Sequence, residues 1–196
     1  MTRDDDQPFF PGFEPERRSD AAFPAHRFYL ALKPDGSAAE KASETALRLK
    51  YENQLAGNPL KRGNFHISLP LLWEGEKPPG DLVEILSTRM QTVRRPPFEI
   101  VLDMAMSFRQ ARRHLLVLGT TRSVANIYEL NRQLVFANGF RTRRGSFNPH
   151  MTLLYTDKLV EKQPIEPIRW TAREFVLIHS FVGLGRQEIA ACWPLQ

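Results

Sequence analysis

Asn64-Phe65-His66-Ile67-Ser68-Leu69 and Phe147-Asn148-Pro149-His150-Met151-Thr152-Leu153 each set a histidine two residues ahead of a hydroxyl side chain on an apolar background. Along a β-strand alternate side chains share a face. Each stretch therefore predicts an imidazole and a hydroxyl pointing together into a groove, with Ile67 and Met151 packing behind them. One His-x-Ser/Thr is unremarkable, because hydroxyl residues are common in any chain. Two copies among five histidines, each entered by an asparagine and a phenylalanine, are harder to attribute to composition. Two imidazoles, one neutral and one charged, can move protons on opposite sides of a phosphate while the two hydroxyls hold its non-bridging oxygens. His66 and His150 are thus the candidate catalytic pair, and Ser68 and Thr152 the candidate phosphate ligands.

Working outward, both motifs are preceded by the same sequence of elements. His26 to Leu32 is apolar and alternating, which predicts a strand ended by Lys33-Pro34-Asp35-Gly36. Ser37 with Glu40 reads as a capping box for a helix running to about Leu55, stopped by Gly57 and Pro59. The first motif strand then spans Phe65 to Leu71. In the second half, the spacing predicts a strand from His114 to Leu118 and a helix from about Ser123 to Ala137. That helix carries the apolar stripe Ile127, Leu130, Leu134 and Val135 and stops at Gly139, ahead of the motif strand Pro149 to Leu154. Strand, helix and histidine strand recur at a spacing of about 40 residues between the paired histidines, which suggests a weak internal duplication. Between the halves lie a helix from Asp81 to Val93, with Asp81 as its cap, and a hairpin of Phe98 to Ser107 with His114 to Leu118. Two further strands, Glu174 to Val182 and Glu188 to Cys192, close the chain.

Composition bounds the remaining possibilities. Hydrophobic residues at 42% and charged residues at 25% are ordinary for a globular chain, and 196 residues suit one domain or two intimately packed lobes. No apolar run reaches membrane-spanning length, and the acidic, proline-containing start lacks the features of a secretory signal, so the expectation is a cytoplasmic protein with no membrane partner. Residues 1–24 are expected to form a flexible extension, the folded part occupying 25–196. The lone Cys192 can form no internal disulfide and is expected to be a small buried side chain. The net charge is +5, with arginines bunched at 109, 112 and 113 and at 141, 143 and 144, which either contact an anionic partner or lie in solvated loops. Arg143, Arg144 and Phe147 lead into the second motif and are possible substrate-binding residues. The alternative for Phe147 is core packing. His26, His114 and His179 lack the paired hydroxyl and read as structural.

The opening strand His26-Arg27-Phe28-Tyr29-Leu30-Ala31-Leu32, the two histidine motifs, Phe175-Val176-Leu177-Ile178-His179-Ser180 and Trp193-Pro194-Leu195 together resemble the two-histidine phosphoesterase superfamily. The likeness is particularly to its branch of RNA 2′,3′-cyclic phosphodiesterases and 2′-5′ RNA ligases. The resemblance implies an α+β, bilobal, pseudo-symmetric fold in which antiparallel sheets line a central groove and helices lie outside. It also implies action on RNA ends or cyclic nucleotides with no metal and no cofactor, and the protein is expected to be a monomer with no protein partner. The activity it implies is hydrolysis of a 2′,3′-cyclic phosphate to a 2′-phosphomonoester, His150 acting as the neutral base and His66 as the acid. Ligation through a 2′-5′ linkage, action on another small cyclic phosphodiester, and non-catalytic binding of RNA or a nucleotide are the rival readings. The chain departs from the family in having Ser68 where threonine is commoner, and Tyr155 where the phosphodiesterase branch often has arginine.

Overall fold

The computed structural model describes residues 25–110, 113–139 and 147–196. The expected extension over 1–24 and the arginines at 112, 141, 143 and 144 lie outside them. Eight strands form one all-antiparallel sheet: β1 (His26–Leu32), β2 (Ile67–Gly75), β3 (Phe98–Phe108), β4 (His114–Gly119), β5 (Met151–Thr156), β6 (Gln163–Ala172), β7 (Glu174–Phe181) and β8 (Arg186–Pro194). Three α-helices accompany them among the described residues, α1 (Gly36–Glu52), α2 (Leu82–Met90) and α3 (Ala125–Ala137). The spatial order β6-β3-β4-β5-β2-β1-β7-β8 divides at the centre into two four-stranded halves. The repeated unit of the sequence is present in both, as β1-α1-β2 and β4-α3-β5, and it places the two motif strands side by side.

The seam between the halves is narrow. β2 and β5 pair only at Ile67 and Met151, each the first residue of its strand, after which the antiparallel strands run apart in opposite directions. Beyond this pair the edge of β5 is taken up by residues 57–60, through a bridge between Pro59 and Leu154 and a hydrogen bond from the Leu60 N–H to the Leu153 carbonyl. Gly57 makes that approach possible. Its φ is +93°, and a Cβ there would stand 2.3 Å from the Tyr155 carbonyl oxygen.

The two faces of the sheet are chemically different. Phe28, Leu30, Leu32, Ile67, Leu116, Leu118, Met151 and Leu177 join the helices in one continuous core. α1 contributes the small residues Ala38, Ala39, Ala42 and Ala46 with Leu49, a stripe that lets it lie close to its neighbours. It packs across the seam against β5 and β6, while α3 approaches β2 in the opposite half. On the other face Ala31, Val176 and Ile178 form a separate small cluster with Tyr29.

Several sequence-based expectations are corrected here. Asp35, and not a Ser37–Glu40 box, caps α1, its carboxylate accepting from the Ala38 N–H. Asp81 precedes α2 but makes no side-chain cap. β6 has no counterpart in the sequence reading, and it carries Pro164 and Pro167, which are unfavourable in a central strand. It is in fact an edge strand, where a missing N–H is tolerated, and Ile168, Trp170 and Ala172 alternate inward along it, with Ile165 buried beyond the irregularity in its pairing with β3. Cys192 is exposed on β8, the other edge, and is not the buried side chain expected of it.

Candidate functional site

His66 and His150 immediately precede β2 and β5, so the Ile67–Met151 pair stands between the two motifs. Both residues of the pair are fully buried on the core side. Alternation along the strands then turns His66, Ser68, His150 and Thr152 to the opposite face. Antiparallel pairing sets His66 across from Thr152 and Ser68 across from His150. The result is a two-by-two array, two imidazoles on one diagonal and two hydroxyls on the other, related by a local twofold through the buried pair. Phe65 and Leu153 are buried, while the four polar side chains are exposed or half-exposed.

Both imidazoles are held alike. His66 Nδ1 lies 2.7 Å from the carbonyl of Asn64, and His150 Nδ1 lies 2.7 Å from the carbonyl of Asn148. A carbonyl can only accept, so Nδ1 carries the hydrogen in each ring and Nε2 is the nitrogen left to exchange protons. The asparagines that precede the motifs thus serve through their main chain, each two residues ahead of its histidine.

The surroundings break the symmetry. Leu32 pairs with Ile67, which brings Lys33 beside His66; its ammonium donates to the Gly63 carbonyl. The Tyr29 ring centroid is 5.3 Å from that of His66. Burial is the largest influence on His66 and pushes its pKa down to about 4. The hydrogen bond to Asn64 opposes this, and the Lys33 and His150 charges add to it. The residue is nonetheless partly exposed. Burial also raises the Tyr29 hydroxyl, with Tyr155 adding to the effect and Gln187 hydrogen-bonding it in the opposing direction. Burial likewise lowers the pKa of Lys33. His150 has a different neighbour, Phe108, edge-on at 4.8 Å.

The structure brings together all four residues of the motifs. Phe147 instead packs half-buried on the core and edge-on to Tyr128, whose hydroxyl donates to the Phe147 carbonyl, in line with the packing alternative. Arg143 and Arg144 lie outside the described residues. His26 and His179 are apart from the groove and contact each other, Nδ1 to Nε2, at 2.8 Å. Sequence reasoning missed Lys33, Tyr29 and Phe108. Lys33 appears in the sequence only as part of a strand-breaking turn, and Tyr29 and Phe108 only as members of alternating strands.

A family model described as the 2′-5′ RNA ligase superfamily matches residues 34–180. Among solved structures, the chain is similar to Escherichia coli LigT in its apo form, with TM-score 0.69 and 22% identity over 89% of this chain and 99% of that one. It is also similar to E. coli LigT complexed with 3′-AMP, with TM-score 0.68 and 24% identity over 87% and 98%. TT0787 of Thermus thermophilus matches with TM-score 0.67 and 17% identity over 86% and 97%. No curated protein matches the chain.

Proposed function

Since the chain belongs to the 2′-5′ RNA ligase superfamily, whose model spans most of it, we propose that it hydrolyses 2′,3′-cyclic phosphate ends of RNA or nucleotides to 2′-phosphomonoesters. The observation that carries this reading is the twofold array of His66, Ser68, His150 and Thr152 about the Ile67–Met151 pair, with both Nε2 atoms left free for proton transfer.

A cyclic phosphate centred over the array meets a hydroxyl donor from each half, Ser68 and Thr152, and the Lys33 ammonium from one side. Fixed donors of this kind favour the charge that builds on the non-bridging oxygens as water adds to phosphorus. Burial keeps His66 neutral at ordinary pH, so it fits the base and His150 the acid, the reverse of the order implied by the resemblance. Water attacks phosphorus and gives a proton to His66 Nε2. The bond from phosphorus to the ribose O3′ breaks, and His150 Nε2–H protonates that oxygen. The product is a 2′-phosphomonoester with a free 3′-hydroxyl, and a proton then passes from His66 back to His150 through solvent. Each transfer is worth on the order of 10²- to 10⁴-fold.

The test is incubation of the protein, with EDTA present, with an RNA oligonucleotide ending in a 2′,3′-cyclic phosphate, together with a second strand bearing a 5′-hydroxyl. Formation of the 2′-phosphate, abolished by His66→Ala and by His150→Ala, is the expected result. Joining of the two strands would make the 5′-hydroxyl, and not water, the nucleophile. Turnover surviving both substitutions would refute the assignment.

A further inference from the structure

Phe181-Val182-Gly183-Leu184-Gly185-Arg186 carries the chain from β7 into β8 and holds no chemical motif. Glycines at φ +82° and +61° allow the reversal, with Leu184 exposed between them. The turn is nonetheless well anchored. The Leu184 N–H closes it on the Phe181 carbonyl at 3.2 Å, and the Val182 N–H donates to the Ala25 carbonyl at 2.9 Å. The Arg186 guanidinium lies 4.4 Å from the centroid of the Phe181 ring, while its Nε donates to Glu188 at 2.9 Å.

This anchored turn meets the first histidine motif at two points. The Asn64 side chain reaches the Gly185 carbonyl at 3.3 Å, and since a carbonyl only accepts, Nδ2 is the amide atom that faces it. The main-chain carbonyl of the same asparagine accepts from His66 Nδ1, so Asn64 joins the turn to the imidazole. Two residues beyond Gly185, Gln187 hydrogen-bonds the Tyr29 hydroxyl, and the Tyr29 ring stands against His66 with centroids 5.3 Å apart. Gln187 Oε1 is buried with no hydrogen-bond partner among the described residues. An unpaired buried acceptor is destabilising, and a leucine of similar size would remove it, so stability alone does not account for an amide at this place. The second motif is held from elsewhere, by the Tyr128 hydroxyl of α3 on the Phe147 carbonyl.

We propose that the β7–β8 turn is the element that positions His66, acting through the Asn64 side chain on one side of the motif and through Gln187 and Tyr29 on the other, to fix the direction of the imidazole and keep it buried. The inference rests on the proposed hydrolysis, in which His66 Nε2 takes the proton of the attacking water. Asn64 and Gln187 are positioning residues, since each acts on the reaction through another side chain. The charged and titratable groups around His66 are Lys33 and Tyr29 on the β1 side and His150 on the β5 side, with Arg27 and Tyr155 near Tyr29. Arg186 and Glu188 of the hairpin pair with each other. Removing either amide alters none of these charges, so any response of His66 reports its exposure and orientation.

The experiment uses the full chain with its histidines labelled at Cε1. The five imidazole signals are followed by NMR as the pH is varied, His66 being the signal lost in His66→Gln. In Asn64→Ala, which keeps the main-chain carbonyl that accepts from Nδ1, and separately in Gln187→Leu, the His66 midpoint is expected to rise by about one pH unit toward the ordinary histidine value. The acid limb of kcat/KM for cytidine 2′,3′-cyclic monophosphate is expected to rise with it. A contact that only holds the fold together would lower Tm and leave the midpoint where it is. The two substitutions lie in different elements, so misfolding of one leaves the other to decide. A midpoint unmoved in the folded variants, whatever happens to Tm, would overturn the inference and leave the hydrolysis standing. A midpoint that rises in a protein whose unaltered form turns over no cyclic phosphate would uphold the hairpin's hold on His66 and refute the hydrolysis.

Discussion

Replacing His66 by glutamine should make the protein less sensitive to mild acid. The folded state holds the His66 pKa down to about 4, while in the unfolded chain it returns to 6.5. Between those limits the unfolded chain binds a proton that the folded one refuses, so stability is complete above the unfolded pKa and falls as the pH drops toward the folded one. The whole displacement corresponds to about 3 kcal/mol, and linkage gives a loss of about 2 kcal/mol already at about pH 5. Glutamine retains a side-chain amide able to donate to the Asn64 carbonyl but has nothing to titrate. Urea unfolding of both proteins at about pH 7.5 and about pH 5 isolates the effect, because the other histidines cancel in the comparison. The wild-type protein should lose about 2 kcal/mol more than His66→Gln between the two conditions. A difference between the proteins that stays constant across the interval would mean that the imidazole titrates as freely in the groove as in the unfolded chain. The assignment of His66 as the neutral partner would then fail.

The same displacement bears on rate. The acid limb of kcat/KM should lie well below the ordinary histidine range, near the folded pKa of His66. Lys33→Met, which removes a charge that lowers that pKa, should move the limb to higher pH, and a limb unmoved by that change would remove Lys33 from the site's electrostatics. Gly57→Ala should destabilise by roughly 1–3 kcal/mol, because it combines a positive φ with a collision against the Tyr155 carbonyl. Calorimetry showing an unchanged Tm would mean that residues 57–60 do not seal the edge of β5.

What the sequence disclosed and what it hid follow from the range of the interactions concerned. The motif strands were legible because their pattern is local: a two-residue period sets His66 with Ser68 and His150 with Thr152 whatever the rest of the chain does. The α3 stripe and the order strand, helix, motif strand were legible for the same reason. Lys33 was not, since its position beside His66 depends on the pairing of Leu32 with Ile67, two residues separated by the whole of α1. Phe108 reaches His150 through β4, which pairs with both β3 and β5. The prolines of β6 report local chemistry faithfully but cannot say that the strand will have a neighbour on one side only. The lowered pKa of His66, on which the proposed acid and base order rests, belongs with these, because it depends on what surrounds the ring and not on the motif, which is nearly identical in the two halves.

The proposed cyclic-phosphate substrate has no twofold axis, so a twofold frame around it poses a problem of direction. Four groups arranged as His66, Ser68, His150 and Thr152 are arranged would by themselves receive a cyclic phosphate equally well in either of two opposed orientations, and only one of them sets the scissile oxygen against the proton donor. Direction has to be written outside the motifs. Lys33 and Tyr29 mark one end of the groove and Phe108 the other. Exchanging those flanking residues between the halves, with the motifs untouched, would be expected to rotate the substrate by half a turn and exchange the roles of the two histidines.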